Sequence, residues 1–383
     1  MSEPRRLTWE GTAVVVGVGC FEQIAADLRG EMEGDRLPLV IFCGRSAMRE
    51  LGFLDSLVAQ FAPRAVRVFT DIAPNPSVES CQRACDFLVE NRPSAVLALG
   101  GGSVIDTAKV ANVAAGAGRS VQDLLREPGE QKLRRAADAF VVVPTTAGTG
   151  SEATPFATVW DFDAPKKHSL TSDLLRPTRA YLDARLTASL STSQTQATAG
   201  DALGHAMESV WSKGSQFLSQ AMAAQAIRLI VNTLPDLLQD PGSAEKRERM
   251  LWASLLAGMS ISQTRTAAAH AISYPLTLYH GVPHGRAVAA LLPHVLSANL
   301  SALDRERVEL LCGCFGCQGG EELLEACRGF LSRNGVAEPL SNFGVRPPDV
   351  ARIARGSNTV GRLDNNIRNL SVEDIEAMVE AAL

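Results

Sequence analysis

The feature that most constrains the fold is a change of sequence pattern near residue 185. Before it, short apolar runs such as 38–43 alternate with segments of helical periodicity, which is typical of a parallel α/β sheet. After it, β-branched runs are nearly absent, and stretches such as 217–234 repeat their apolar residues with the period of a helix. We therefore predict an α/β domain over residues 1–185 and an all-helical domain over residues 186–383. The predicted strands are 11–18, 38–43, 66–69, 95–99 and 139–143.

Length, charge and composition exclude several classes of protein. A chain of 383 residues is too long for one ordinary core and fits about two domains. The net charge of −5 provides no basic field for a nucleic acid or an anionic membrane, and no run of about 18 apolar residues predicts a membrane span. The N-terminus lacks the apolar core of a signal peptide, so we expect a cytoplasmic protein.

The eight cysteines are spread through the chain, which fits reduced thiols better than a disulfide framework. Cys312, Cys314 and Cys317 do cluster after a predicted helix. A CxCxxC pattern without a second cluster is a weak signal for zinc, so we predict free and mostly buried thiols there.

The stretch GDALGHAME, residues 200–208, carries a carboxylate and an imidazole four residues apart. On a helix this spacing places Asp201 and His205 on one face, and the flanking Ala, Leu and Met residues make that face apolar. An Asp at a helix start and a core His with a hydrogen-bond partner would explain the pair. Half of a metal site is a third explanation. The pair alone leaves these alternatives open.

Three of the six histidines fall between residues 270 and 284. Pro275, Gly281 and Pro283 interrupt this segment, and both residue types disfavour a helix interior. We therefore predict a loop over residues 271–285 that can fold back on itself.

That loop would complete the site begun by Asp201 and His205. His270 and His284 flank it and would give a set of one carboxylate and three imidazoles. This donor set suits a divalent Fe(II) or Zn(II) ion in an open catalytic site. His280 lies between the two and could instead carry protons.

A glycine-rich turn joins a predicted strand to a predicted helix at residues 100–103, Gly-Gly-Gly-Ser. Glycines allow a ligand to approach the backbone, and free N–H groups at a helix start bind phosphate. The spacing matches neither G-x-G-x-x-G nor a Walker loop. A tight turn would need only one glycine, so we predict a phosphate or pyrophosphate site. Asp106 and Lys109 follow on the same helix, where an ordinary surface pair is the alternative.

A second turn, rich in threonine and glycine, follows the predicted strand at 139–143. Ligands of parallel sheets bind at the carboxyl ends of the strands, so Thr145 and Thr146 are candidates to contact phosphate, ribose or a ring amide. A surface turn of the same composition is the alternative. Lys166, Lys167 and His168 would bring a cation to this edge or form a solvated basic turn.

Taken together, these motifs resemble the iron-containing (group III) alcohol dehydrogenase family. The likeness extends in order and spacing from about residue 38 to residue 300, and it is carried by GGGSVIDTAK at 100–109, PTTAGTGSE at 144–152, GDALGHAME at 200–208 and the histidine pair that ends in PHG at 270–285. The resemblance implies a homodimeric dehydrogenase whose N-terminal domain binds the dinucleotide, with a metal in the cleft next to a helical C-terminal domain.

The resemblance also implies roles for individual residues. The metal ligands, for Fe(II) or Zn(II), would be Asp201, His205, His270 and His284. The residues that bind NADP(H) or NAD(H) would be Gly44, Arg45, Asn75, Gly101, Gly102, Ser103, Asp106, Thr145, Thr146 and Lys167. The candidates for proton transfer would be His280 and Tyr274.

Two departures from the family pattern affect these roles. Tyr274 stands where many members have a histidine, so His280 or solvent would replace it in proton transfer. Gly44 stands where NAD-preferring members often have an aspartate, and Arg45 and Ser46 follow. Without a carboxylate, and with a guanidinium at hand, a 2′-phosphate would be accepted, which favours NADP(H). The alternative is that Arg45 faces solvent.

A narrower likeness concerns the substrate. The stretches 155–161, 167–170 and 270–277 are similar to the phosphonoacetaldehyde reductases of phosphonate natural-product biosynthesis, which form 2-hydroxyethylphosphonate. A phosphonate requires cations and hydroxyls near the metal. The candidate substrate residues are Arg265, Thr266, Lys213 and Phe156, with Arg286 behind them. The alternatives are a group III reductase of ordinary alcohols, lactaldehyde or maleylacetate, a dehydroquinate synthase-like lyase, or a non-catalytic nucleotide-binding protein.

Overall fold

The structure is a computed structural model that describes residues 3–30, 32, 36–44, 47–126, 133–164, 166–359 and 361–383. The chain forms two compact units, which are treated separately below. Unit 1 comprises Met1–Thr146 and Ser151–Ser189, and unit 2 comprises Ala147–Gly150 and Leu190–Leu383. Unit 1 combines strands and helices, and every regular element of unit 2 in the described residues is a helix, so the predicted fold class is confirmed.

Unit 1 is built on a seven-stranded sheet of order β1-β2-β9-β6-β5-β3-β4. Only the β1–β2 pair is antiparallel, and the central strands β3, β5 and β6 are almost fully buried because helices cover the sheet. The strands are β1 (Arg5–Trp9), β2 (Thr12–Val16), β3 (Leu39–Cys43), β4 (Val66–Phe69), β5 (Ala95–Gly100), β6 (Ala139–Pro144) and β9 (Arg179–Leu182), beside a separate antiparallel ribbon of β7 (Phe156–Asp161) and β8 (Lys166–Thr171).

The helices of unit 1 connect the parallel strands. They are α1 (Ile24–Arg29), α2 (Ala47–Glu50), α3 (Phe53–Gln60), α4 (Val78–Asn91), α5 (Gly102–Ala117) and α6 (Val121–Arg126). Ser77 caps α4 by accepting a hydrogen bond from Ser80 N.

The five predicted strands are confirmed, whereas β1, β7, β8 and β9 were not predicted. β1 is a mostly exposed edge strand, and β8 consists mainly of polar residues with a single buried one. Neither strand contains the apolar run on which the strand predictions were based. The alternative of a solvated basic turn at residues 166–168 is therefore wrong, because these residues lie within β8, where pairing with β7 outweighs their polar composition.

Unit 2 contains the longest helices. They are α7 (Thr192–Trp211), α8 (Phe217–Gln239), α9 (Ala244–Thr264), α10 (Ala268–His280), α11 (His284–Asn299), α12 (Arg305–Phe315), α13 (Gly319–Arg333), α14 (Val350–Gly356) and α15 (Val372–Ala381). Ser191 and Gln194 form a capping box that starts α7, so the helix that carries Asp201 begins at a defined residue. Among the helices described, none is both long and apolar enough to cross a membrane.

The predicted loop over residues 271–285 is wrong, because α10 continues through Pro275 to His280. Proline removes one helical hydrogen bond, but residues 268–277 are all buried, and tertiary packing stabilises a buried helix more than intrinsic propensity destabilises it. Gly281, in the left-handed region at φ 65°, ends the helix. Only three residues, Gly281 to Pro283, separate α10 from α11.

The cysteine prediction is confirmed for the thiols. All eight cysteines are free, and all but Cys317 are buried. Within the part of the chain that the structure describes, no cysteine belongs to a candidate metal-binding group.

Candidate active site

Close packing of α7 on α11 brings the candidate ligands of unit 2 together. A Cβ at Gly204 of α7 would overlap Val288 of α11, and a Cβ at Gly285 would overlap the carbonyl of Ala197. Glycine at these two positions lets the helix backbones approach closely. His284, the first residue of α11, therefore lies beside Asp201 and His205.

The three imidazoles surround a single carboxylate oxygen. Oδ1 of Asp201 lies 3.7 Å from Nε2 of His205, 3.4 Å from Nε2 of His270 and 3.6 Å from Nε2 of His284. These distances are mostly too long for hydrogen bonds. Ligands about 2.1 Å from a tetrahedral metal ion lie about 3.4 Å apart, so the spacing matches a shared ion. The ligand atoms of Asp201, His270 and His284 also lie within 4.8 Å of one another.

Glu208 fixes the orientation of His270. Its Oε2 accepts hydrogen bonds from His270 Nδ1 at 2.7 Å and from Ala267 N at 2.7 Å, while Oε1 accepts from Ala269 N at 2.5 Å. The carboxylate is fully buried and caps the first turn of α10. A proton held on Nδ1 leaves Nε2 as the ligand atom of His270, and Nε2 faces Asp201, where a metal ion would replace the second ring proton.

Ser273 performs the same task for His284. Its hydroxyl donates to the His270 carbonyl at 2.7 Å, so its oxygen accepts from His284 Nδ1 at 3.2 Å. The Nε2 lone pair of His284 is thereby directed toward Asp201. The sequence analysis did not single out Ser273 or Glu208, although Glu208 follows Asp201 by seven residues and His205 by three, on the same helical face.

The charges in this cluster favour a cation. Burial opposes ionisation of Asp201, yet the three surrounding imidazoles outweigh it and hold the pKa of its carboxyl well below the usual range. Burial lowers the pKa of His205 to about 4. Burial also acts on His270, but the carboxylates of Glu208 and Asp201 outweigh it and raise its pKa to about 10. Two carboxylates thus face buried imidazoles.

The residues of the cluster fit a divalent metal. Asp201 Oδ1 and His270 Nε2 are both buried, and neither has a hydrogen-bond partner in the described chain. Lone pairs that face a carboxylate oxygen repel it unless a cation lies between them. The chain thus brings together all four ligands that the sequence predicted, and Asp201, His205, His270 and His284 are the residues that would hold the ion.

The two candidates for proton transfer lie on α10. Tyr274 is 2% exposed, and its ring stacks at 6.0 Å on the ring of His284. His280 is the last residue of the helix and is only partly buried. Tyr274 is therefore the candidate that contacts the cluster.

Two of the candidate substrate residues, Lys213 and Arg286, already form hydrogen bonds within unit 2. Lys213 is exposed, and its Nζ donates to Asp364 O and to Asn369 Oδ1, both at 2.7 Å. Arg286 is 4% exposed and donates to the carbonyls of Gly335 and Val336 and to Gln196. The predicted substrate role of Arg286 is therefore wrong, because its guanidinium ties α11 to the segment after α13.

Of the other candidates, Phe156 lies on β7 in unit 1. Arg265 and Thr266 lie in unit 2, between α9 and α10.

In unit 1 the predicted phosphate loop lies at the carboxyl ends of β5 and β6. Gly101 begins α5 without a side-chain cap, so the first N–H groups of the helix have no intrahelical partner. A Cβ at Gly101 would lie 3.0 Å from Thr146 Cγ2. The hydroxyl of Ser103 accepts from Asn75 N at 3.2 Å, and Thr145 N donates to Gly100 O at 3.1 Å. The predicted cofactor residues thus gather at one edge of the sheet.

Asp106 and Lys109 both form hydrogen bonds with the segment after β6. Asp106 accepts from the Ser151 hydroxyl at 2.7 Å and from Thr158 N at 2.9 Å. Lys109 is fully buried and donates to the carbonyls of Ser151, Thr154 and Phe156. The surface-pair alternative is therefore wrong, and burial lowers the pKa of Lys109 to about 8. Both side chains anchor residues 151–158 to α5.

The remaining cofactor candidates are Gly44, Lys167 and Arg45. Gly44 directly follows β3, and Lys167 lies on β8, both partly buried. Arg45 and Ser46 lie outside the described residues.

Comparison with known proteins decides the family. The model for "Iron-containing alcohol dehydrogenase" matches residues 11–184, and the model for "Fe-containing alcohol dehydrogenase family, C-terminal" matches residues 195–383. The chain belongs to the iron-containing alcohol dehydrogenase family. The family resemblance of the motifs is thus confirmed.

Individual relatives agree with this assignment. The chain is 30% identical over 342 residues to the long-chain primary alcohol dehydrogenase of Thermoanaerobacter ethanolicus, covering 88% of this chain and 82% of that protein. It is 27% identical over 380 residues to the sulfoacetaldehyde reductase of Bilophila wadsworthia, covering 96% of each. The crystal structure of the sulfoacetaldehyde reductase from Bifidobacterium kashiwanohense in complex with NAD+ has a TM-score of 0.87 at 28% identity, over 98% of this chain and 99% of that one. The chain is accordingly an oxidoreductase that interconverts alcohols and aldehydes with NAD(H) and a metal site.

Proposed function

We propose that this member of the family reduces phosphonoacetaldehyde to 2-hydroxyethylphosphonate, with NADPH or NADH as reductant and Fe(II) or Zn(II) at the Asp201 cluster. The observation that carries the proposal is the convergence of three imidazole Nε2 atoms on one buried carboxylate oxygen. When bound, the metal would polarise the aldehyde oxygen and the reduced nicotinamide would give a hydride to the carbonyl carbon.

The chain's own residues provide orientation and exclude water. Glu208 and Ser273 hold the rings of His270 and His284, so no reorganisation is needed when the site is filled. Burial of Asp201, His205 and His270 keeps bulk water from the cluster and strengthens its electrostatic interactions.

The product oxygen needs a proton, and Tyr274 is the group we favour for holding it. Its ring lies against His284 in the cluster. His280, whose buried Nε2 has no hydrogen-bond partner in the described chain, is the alternative donor.

Support for the phosphonate comes from related chemistry. Two of the similar proteins are named sulfoacetaldehyde reductases. Sulfoacetaldehyde and phosphonoacetaldehyde are both two-carbon aldehydes that end in a tetrahedral oxyanion. The stretch 270–277 of this chain is similar to phosphonoacetaldehyde reductases, which favours the phosphonate over the sulfonate.

Support for NADPH comes from the end of β3. Gly44 carries no carboxylate that would repel a 2′-phosphate.

The test is oxidation of NADPH and of NADH by protein loaded with Fe(II) or with Zn(II). The aldehydes are phosphonoacetaldehyde, sulfoacetaldehyde and propanal. We expect the highest kcat/KM with phosphonoacetaldehyde. Equal kcat/KM for propanal and phosphonoacetaldehyde would refute the proposal, and a higher value for sulfoacetaldehyde would reassign the substrate to the sulfonate.

A further inference from the structure

We propose that Arg265, Thr266 and Arg362 of unit 2 form a subsite that binds the tetrahedral oxyanion of the substrate. The inference rests on the proposed function and names the residues that determine its specificity. Of the three, Arg362 was not a candidate from the sequence.

Two chain segments that are distant in sequence meet at this subsite. Asn365 Nδ2 donates to the carbonyl of Thr264 at 2.8 Å and to that of Thr266 at 3.0 Å, so the segment after Gly361 is bound across Arg265. A Cβ at Gly361 would lie 3.0 Å from Nη1 of Arg265. The guanidinium of Arg265 therefore lies over the residue that directly precedes Arg362.

Thr266 contributes a polar atom that has no partner. The residue is 7% exposed, and its Oγ1 forms no hydrogen bond within the described chain. A buried hydroxyl without a partner is costly, and ligands commonly satisfy such groups. Arg362 is equally buried at 7% exposure, and its Nη1 donates to the carbonyl of Gly361 at 2.9 Å.

The backbone at Arg265 gives a second indication. Its φ is 61°, in the left-handed region where a glycine is unstrained and an arginine is not. The residue ends α9, a position that glycine commonly occupies. An arginine at such a position is best explained by a use for its side chain.

The cluster lies close to the candidate metal ligands. Ala267 N, one residue after Thr266, donates to Glu208 Oε2 at 2.7 Å. The same oxygen accepts from Nδ1 of His270 at 2.7 Å. One carboxylate oxygen thus separates the segment that carries Arg265 and Thr266 from a ring of the metal cluster.

The donor set matches a phosphonate or a sulfonate. A guanidinium group carries forked N–H donors suited to pairs of oxygens, and a hydroxyl can donate to the third oxygen. An uncharged aldehyde gains nothing from these donors. Lys213 is exposed, so solvent screens its charge, and it is not part of the set.

Three variants test the subsite in the full-length, metal-loaded protein. Arg265→Gly relieves backbone strain, and Thr266→Val keeps the shape while it removes an unpaired hydroxyl, so neither should lower the melting temperature. Arg362→Met removes the buried cation. Arg355→Met, an exposed arginine on α14, is the matched control for loss of charge.

Two quantities are measured for each variant. One is the ratio of kcat/KM for phosphonoacetaldehyde to that for propanal, and the other is the dissociation constant of methylphosphonate. Loss of a charge-assisted hydrogen bond should lower the ratio and weaken methylphosphonate binding by about 10- to 100-fold for each arginine variant, and by several-fold for Thr266→Val. The Arg355→Met variant should change neither quantity.

The outcomes separate this inference from the proposed function. A wild-type preference for phosphonoacetaldehyde that survives all three folded variants would overturn the subsite and leave the function standing. A wild-type preference for sulfoacetaldehyde that the variants lose would support the subsite and move the substrate to the sulfonate. Absence of any preference for an anionic aldehyde, together with no methylphosphonate binding, would overturn both.

Discussion

The two candidate ligand sites are built in opposite ways. In unit 2, side chains from α7, α10 and α11 converge, and buried polar atoms such as Asp201 Oδ1 have no hydrogen-bond partner in the described chain. In unit 1, the phosphate loop is backbone at one strand–helix junction, and the nearby side chains of Asp106 and Lys109 are fully occupied. Unpaired side-chain atoms thus indicate the metal cluster, and free backbone N–H groups indicate the phosphate loop.

The largest effect should come from His270→Ala, which removes one ligand atom of the cluster. We expect loss of bound metal and a fall in kcat/KM of at least about 10³-fold, because the Lewis acid is lost. Metal content and aldehyde reduction measure this. Binding of NADH, measured by the fluorescence of NADH, should persist because the phosphate loop is intact. An equal loss of NADH binding would contradict the contrast between the two sites.

A smaller effect on the same cluster should come from Glu208→Gln. The amide keeps the size of the side chain but cannot accept all of the hydrogen bonds from α10, so His270 loses its fixed orientation. We expect the metal dissociation constant to rise by about 10- to 100-fold. Glu245→Gln, at an exposed position in the first turn of α9, is the control and should leave the constant unchanged. Unaltered metal affinity in Glu208→Gln would show that the carboxylate only caps α10.

Gly101→Val is the complementary test, because it should impair the phosphate loop of unit 1 and leave the metal cluster of unit 2 intact. The added side chain would meet Thr146 and cover the N–H groups at the start of α5. Loss of about one charge-assisted hydrogen bond should raise the dissociation constant of NADPH or NADH by about 10-fold. Metal content should remain that of the wild type. Loss of metal in this variant would mean that the two sites are not built independently.

The last prediction concerns stability rather than binding and rests on Glu152, the exception to the contrast in unit 1. Its carboxyl is 2% exposed, Oε1 has no hydrogen-bond partner in the described chain, and burial raises its pKa from 4.5 to about 7. The folded state therefore holds the proton more tightly than the unfolded state, and stability should fall as pH rises from about 4.5 to about 7, by at most about 3 kcal/mol.

Unfolding by denaturant at pH 5, 6, 7 and 8 measures this dependence. Glu152→Gln carries no titrating group, so its free energy of unfolding should vary less over this interval than that of the wild type. Parallel pH profiles for the two proteins would show that ionisation of Glu152 does not destabilise the folded state.

Much of the fold was predictable because its signals are local. β3 and β5 are continuous apolar runs, and α8 and α9 repeat their apolar residues with the period of a helix. β8 was not predictable, because a polar strand depends on its partner strand rather than on its own composition. The helix through Pro275 was not predictable either, because burial outweighed a local helix breaker.

The candidate site likewise contains residues that were predictable from the sequence and residues that were not. Helical spacing was enough to select Asp201 and His205, and residue type was enough to select His270 and His284, although the segment between these two histidines was wrongly predicted to be a loop. The pairing of Arg265 with the segment before Arg362 was not recognisable, because the two segments meet only through Asn365 and Gly361.

The sequence by itself determined which chemical groups are available and which of them share a helical face, because both follow from residue identity and the helical period. Only the tertiary structure decided where those groups point. Packing of α7 on α11 at glycines, and the hydrogen bonds of Glu208 and Ser273, turn three Nε2 atoms toward Asp201 Oδ1. The physical reason is that hydrogen-bond direction and close packing depend on neighbours that are remote in the chain.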